Sequence, residues 1–169
     1  MKAHFRQWRS RNGRGGYFGA FAFDRKSDNS FAVNNFHDFD VAKQAAVFGC
    51  SEVSEAAAPD CVLYAVILPK EHANTVNSAF GLSGDAKQDF EKKYKAKQKQ
   101  GRFGAFAISG AAEYGWAFDF AEESEARGRA LAECQASVQN ALAGLKNAGR
   151  NWAKSRSLDK CRIVDVSGR

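Results

Sequence analysis

No uninterrupted apolar run approaches the length of about eighteen residues that a membrane-spanning helix needs, so none of the 169 residues reads as a transmembrane segment. The opening stretch, MKAHFRQWRSRNGRGG, holds five basic residues and no acid, and it lacks the apolar region of a signal peptide. Two readings follow: a chain retained inside the cell, or a mature form whose leader has been removed. Cys-x-x-Cys is absent, and His4, His37 and His72 have no cysteine at ligand spacing. That excludes the common structural zinc and thiol-redox patterns, so no metal ligands and no cofactor are expected. Gly-x-Ser-x-Gly, phosphate-loop and dinucleotide patterns are missing too, and no catalytic residue is expected. GRGGYFG is glycine-rich, but it precedes a strand instead of a helix and lacks the Lys-Ser/Thr of a phosphate loop, so it reads as a flexible lead-in.

What is present is enough for a core. Hydrophobic residues make up 44% of the chain, which excludes an intrinsically disordered protein. The formal net charge of +6 favours a polyanionic partner, or serves solubility alone.

The chain writes one pattern twice. Phe18-Gly19-Ala20-Phe21-Ala22-Phe23 matches Phe103-Gly104-Ala105-Phe106-Ala107-Ile108, and Phe31-Ala32-Val33 matches Trp116-Ala117-Phe118 at the same offset. After a one-residue slip Phe36 matches Phe120 and Asp40 matches Ser124; Ala42, Ala46 and Cys50 then match Ala126, Ala130 and Cys134. CVLYAVIL from Cys61 closes the first copy and CRIVDVSG from Cys161 the second. Each copy reads as two strands joined by a polar turn, a helix capped at Asp40 or Ser124, and a last strand. The fold class is therefore α+β: a duplicated β-β-α-β unit of mainly antiparallel sheet with Ala-rich helices on one face. The expected organisation is a basic arm (1–15), repeat 1 (16–70), a linker with a Lys-rich solvated helix (71–100) and repeat 2 (101–169), its late segment forming a basic loop around Trp152. Alternation along the first strand separates Ala20 and Ala22 from Phe21 and Phe23. The small face should receive the helix, and the aromatic face should meet the other repeat across a pseudo-twofold.

Even number and repeat symmetry pair Cys50 with Cys61 and Cys134 with Cys161, each bridge stapling a helix to the adjacent strand. On the loop-entropy account the two bridges contribute about 3 and about 3.5 kcal/mol. Disulfides imply an oxidising compartment, periplasm or exterior. The Phe-Gly-Ala-Phe-Ala strand, Tyr114-Gly115-Trp116-Ala117, the helix EARGRALAECQ and the closing Cys strand together resemble the bacterial "domain of unknown function 4189" family. Ala130-Leu131-Ala132-Glu133-Cys134 carries the likeness best; Ala46-Val47-Phe48-Gly49-Cys50 is more divergent. The resemblance implies a small exported fold and no particular reaction.

Three functions compete. The leading one is a non-catalytic exported module that binds another protein or complex, such as an accessory subunit of an envelope assembly at a membrane surface. Its contact residues would come from Arg6, Trp8, Arg9, Arg11 and Arg14, from Lys92, Lys93, Lys95 and Lys97, and from Trp152. The second is a basic nucleic-acid binder using exposed aromatic strands, which the β-β-α-β order disfavours. The third is a small enzyme built on His37, Asp38 and Asp40, for which helix capping is the simpler account.

Overall fold

A computed structural model describes residues 1–12, 17–72 and 81–168. Chain contacts divide it into two units, Met1–Gly84 and Asp85–Arg169. The first carries α1 (Lys2–Asn12), β1 (Phe18–Asp24), β2 (Ser30–Phe36), α2 (Phe39–Val53) and β3 (Cys61–Ile67). The second carries nearly all of α3 (Gly84–Asp89), a π turn (Phe90–Tyr94), β4 (Phe103–Ile108), β5 (Tyr114–Phe120), α4 (Glu123–Ala143), α5 (Asn147–Ser155) and β6 (Arg162–Ser167). Each sheet is three-stranded and antiparallel with the Phe-Gly-Ala-Phe-Ala strand central: β2-β1-β3 and β5-β4-β6. The fold is α+β, and the unit is duplicated.

The repeat extends to irregularities. In both units the hairpin register shifts across the glycine, between Phe18 and Ala20 and between Phe103 and Ala105. It shifts again toward the last strand, between Phe21 and Ala22 and between Phe106 and Ala107. Asn35 and Asp119, each one residue before the aromatic that ends the second strand, take the left-handed conformation with φ of 65° and 68°. Bulges of this kind bend a strand and increase its twist. They also account for the repeated glycine: a Cβ on Gly19 would lie 3.0 Å from the Val33 carbonyl, and one on Gly104 would lie 2.9 Å from the Ala117 carbonyl.

The small faces meet as the alternation predicts. Ala20 and Ala22 bury against Ala42, Ala46 and Cys50 of α2; Ala105 and Ala107 bury against Ala126, Ala130 and Cys134 of α4. The hairpin alignment needs a correction of one residue. Phe31 pairs with Ala22 and Gly115 with Ala107, so the slip falls in the turn and Phe31 corresponds to Gly115. The helix contacts at this position differ as well. Phe31 covers Gly49, whose added Cβ would sit 2.2 Å from the ring, whereas Gly115 lies against backbone of Ala130, Glu133 and Cys134. A ring on a helix glycine in unit 1 is replaced in unit 2 by a strand glycine in close contact with helix backbone.

The aromatic faces differ from expectation. Each is covered from within its own unit by the segment that precedes its first strand. Phe5 and Trp8 of α1 approach Phe21 at 5.4 and 5.6 Å, and Phe90 and Tyr94 approach Phe106 at 5.2 and 5.6 Å. Phe90 follows Phe5 by the same 85 positions that separate Phe103 from Phe18. The repeat is therefore helix-β-β-α-β, and both the basic arm and the Lys-rich segment are structural parts of it. The reason is energetic: burying one Phe is worth roughly 1.5–3 kcal/mol, so a bare aromatic sheet face recruits the nearest amphipathic segment. Two local readings also change. α2 is capped by Asp38, which accepts from Val41 N–H at 2.9 Å, two residues before Asp40; α4 begins after Glu122, which makes no side-chain cap. The expected loop around Trp152 is helix α5.

Gly115→Ala should lower the unfolding midpoint sharply, because the nearest obstacle, 2.2 Å away, is the Cys134 backbone nitrogen and cannot rotate aside. Gly128→Ala, mid-α4 with nothing near its added Cβ, should raise stability by about 0.4–1 kcal/mol. Denaturant melts of the two variants provide the check. Equal effects would mean that the strand–helix approach is not tight.

Candidate interaction surfaces

The sulfur pairs form as expected. Cys50 bonds Cys61 and Cys134 bonds Cys161, with Cα separations of 6.0 and 6.2 Å, and no cysteine is left free. In unit 1 a polar knot lies at the same corner. The carboxylate of Asp24, fully buried at the end of β1, accepts from Ser54 Oγ at 2.5 Å, Ser27 Oγ at 2.9 Å, Lys26 N–H at 3.0 Å and Asp60 N–H at 2.9 Å. These four donors, the Ser54 hydroxyl above all, hold its pKa far below the ordinary carboxylate value. Asp60 in turn receives a two-toothed contact from Arg25, at 2.8 and 3.0 Å, which lowers its pKa as well. One buried carboxylate thus joins the hairpin turn, the end of α2 and the start of β3. Unit 2 has Ser109 there, buried, accepting N–H bonds from Ala111 and Glu113 within its own turn.

The predicted contact residues separate into distinct environments. Arg6, Arg9 and Arg11 stand exposed on α1, while Trp8 is buried against Phe21 and belongs to the core. Arg14 falls outside the described residues. In the Lys-rich segment most charges are answered locally. Lys93 pairs with Asp89 at 2.8 Å and Lys95 with Asp165 at 2.9 Å, and Lys97 lies over the stacked rings of Trp116 and Phe118. Lys92 is exposed. Lys99 joins Arg102 on Asp119, the left-handed bulge residue, and together they depress its carboxyl pKa. Trp152 is half-buried on α5 with Arg156 5.3 Å above its ring. Under the Lys-rich segment, burial pushes up the Tyr94 hydroxyl, which donates to Asp165 at 2.7 Å. Burial, with Asp89 beside it, pushes the Tyr114 hydroxyl up to about 12.

The two closing strands diverge. Register places Val62, Leu63, Tyr64, Ala65, Val66 and Ile67 of β3 at the positions of Arg162, Ile163, Val164, Asp165, Val166 and Ser167 of β6. Both strands are at sheet edges. β6 carries two charges, one of them held by Tyr94 and Lys95. β3 carries none, and Leu63, Tyr64 and Val66 are 40, 51 and 37% exposed. Both edges share the same bulge, but among the described residues β3 pairs on one side only, and an uncharged edge lacks the charged residues that commonly guard such a strand against an added chain. The difference was open to view in CVLYAVI against CRIVDVS, but nothing in the sequence marks which strand lies at an edge.

Several residues named for the competing functions are engaged within the fold. His37 is buried and its Nδ1 accepts from Ser83 N–H at 2.7 Å, while its carbonyl accepts from Gly81 N–H; Asp38 caps α2, and Asp40 in its first turn pairs with Lys43. Phe21 and Phe106 are buried under helical segments, while Trp116 and Phe118 of β5 are half-buried and stack on one another. Among the described residues no group of three His, Cys, Asp or Glu side chains could hold a metal ion, and no helix is long and apolar enough to cross a membrane. No family model, curated protein or solved structure matches the chain.

Acid should unpick the Asp24 corner. Its folded carboxyl binds a proton less readily than the unfolded one, whose pKa is about 3.9. The stabilisation is therefore complete above that value and lost as pH falls through it toward the folded pKa. Asp24→Asn should lower the thermal midpoint at neutral pH and shrink the difference between neutral pH and about pH 3. An unchanged acid limb in the variant would assign that loss to other carboxylates.

Proposed function

We propose that the protein is a non-catalytic, exported interaction module, periplasmic or secreted, in which unit 1 is the binding half and unit 2 the self-satisfied half. The observation that carries this reading is the divergence of the two edge strands: the apolar, uncharged β3 against the charged β6. The partner is an extended apolar segment of another protein, such as a subunit of a larger envelope complex, adding a strand beside β3. Main-chain hydrogen bonds supply affinity in this mode, and alternate side chains supply selectivity. Two disulfides fit an oxidising compartment. The likeness to the "domain of unknown function 4189" family supports export in the same sense, with the chain as two divergent tandem copies.

Panning a library of displayed extended peptides against the immobilised full chain tests this directly. Selected peptides should be apolar at alternate positions and should slow amide exchange in residues 61–67. They should lose at least tenfold in affinity for a Val62→Arg/Ala65→Asp variant, which writes the β6 charges into β3. Peptides that protect another segment, or that ignore those two substitutions, would overturn it. Reduction offers a separate test of the stapled state: each bridge removed should cost about 3 kcal/mol, read from denaturant midpoints with and without dithiothreitol.

A further inference from the structure

The two helical segments that cover the aromatic faces perform one structural task with opposite electrostatics. On the unit 2 segment Lys93, Lys95 and Lys99 are each within 2.9 Å of an aspartate oxygen. On α1 the residues Lys2, Arg6 and Arg9 recur at i, i+4 and i+7, which places them along one face. All three are exposed, as is Arg11, and none of the four has an ion pair among the described residues. Covering a sheet does not require this stripe, since unit 2 manages with compensated charge. Like charges at i, i+4 weaken a helix and Lys2 at the N-terminus opposes its dipole, whereas Arg9 and Arg11 in the last turn favour it. An exposed cationic stripe without ion-pair partners among the described residues is available to an anionic ligand.

We infer that the outer face of α1 docks on an anionic phospholipid surface. Phe5 and Trp8 are turned inward against Phe21, so this face presents no ring to stack on a base. It offers charge alone, on a convex helical surface about 10 Å long, the scale of neighbouring headgroups in a bilayer. Guanidinium groups suit phosphate oxygens in particular. The choice of lipid over nucleic acid rests on the exported reading, because an oxidising compartment brings membrane phosphates within reach and not polynucleotides. The anion site itself rests on the stripe.

The test is co-sedimentation of the full chain with vesicles of equal parts phosphatidylglycerol and phosphatidylcholine, against vesicles of phosphatidylcholine alone. Binding is expected only to the anionic vesicles at about 50 mM salt, fading toward about 500 mM. Arg6→Gln/Arg9→Gln should weaken it about tenfold or more. Lys93→Gln/Lys99→Gln removes the same number of positive charges from the compensated segment and should bind close to wild type. Equal loss in both double variants would reduce the effect to net charge and overturn the site, as would binding to neutral vesicles alike. Tighter binding to a duplex oligonucleotide at the same salt would overturn the lipid assignment. Peptide selection on β3 is unaffected by these outcomes, so failure here leaves the edge-strand reading separately testable.

Discussion

Everything in each unit depends on how closely one helix can lie on one strand. Alanines occupy the central strand at Ala20 and Ala22 and again at Ala105 and Ala107, and the helix answers with Ala42 and Ala46, or Ala126 and Ala130. Contacts between residues this small bury little area per side chain, so they contribute only when the separation is short and regular. The disulfide sits one helical turn further along the same stripe, at Cys50 or Cys134, and joins it to the edge strand. A thin apolar contact and a covalent staple are complementary. The first fixes geometry, and the second removes the freedom of the unfolded chain that so small an interface cannot outweigh alone.

The same constraint decides where the aromatics go. With one sheet face committed to alanine, the large residues of the central strand must point the other way, and their rings require cover. α1 and the segment around Phe90 and Tyr94 provide it with matching ring-to-ring distances. This is why the arm and the Lys-rich segment belong with the sheets. A helix whose inner face is spent on ring packing has only its outer face for anything else, and on α1 that face is cationic.

Much of this was legible in the sequence, for definable reasons. The strand Phe-Gly-Ala-Phe-Ala is nearly identical in both copies because bulge, helix contact and aromatic cover all act on it at once. The cysteines paired correctly because four thiols on a twofold repeat leave one symmetric solution within the copies. The covering helices were hidden because at the 85-residue offset they share only Lys2 with Lys87 and Phe5 with Phe90: what a covering helix needs is a ring on one face, and that demand tolerates almost any sequence. The capping position was misplaced because Asp38 and Asp40 both suit an N-terminus, and only backbone geometry separates them. The hairpin slip was misplaced because Phe31 and Trp116 look alike, whereas the structure equates Phe31 with Gly115. Edge exposure and charge compensation were not legible, since both depend on which strands and side chains become neighbours.

Duplication explains why one copy can afford what the other avoids. Two units built on one plan face the same hazards, an open sheet edge and a crowded cationic helix. Unit 2 meets both internally: Asp165 of β6 is engaged by Tyr94 and Lys95, and Asp119 by Lys99 and Arg102. These acids tie strand to covering segment, so one set of contacts protects the edge, neutralises the lysines and secures the aromatic cover. Unit 1 has alanine at the position of Asp165 and asparagine at that of Asp119. Neither can neutralise a cation. Asn35 instead accepts from Gly84 N–H at 2.7 Å, and the Asp24 knot holds the far end of the sheet. Unit 1 therefore secures its fold by hydrogen bonds at its two ends, and its apolar edge and cationic helix are left outside that internal accounting.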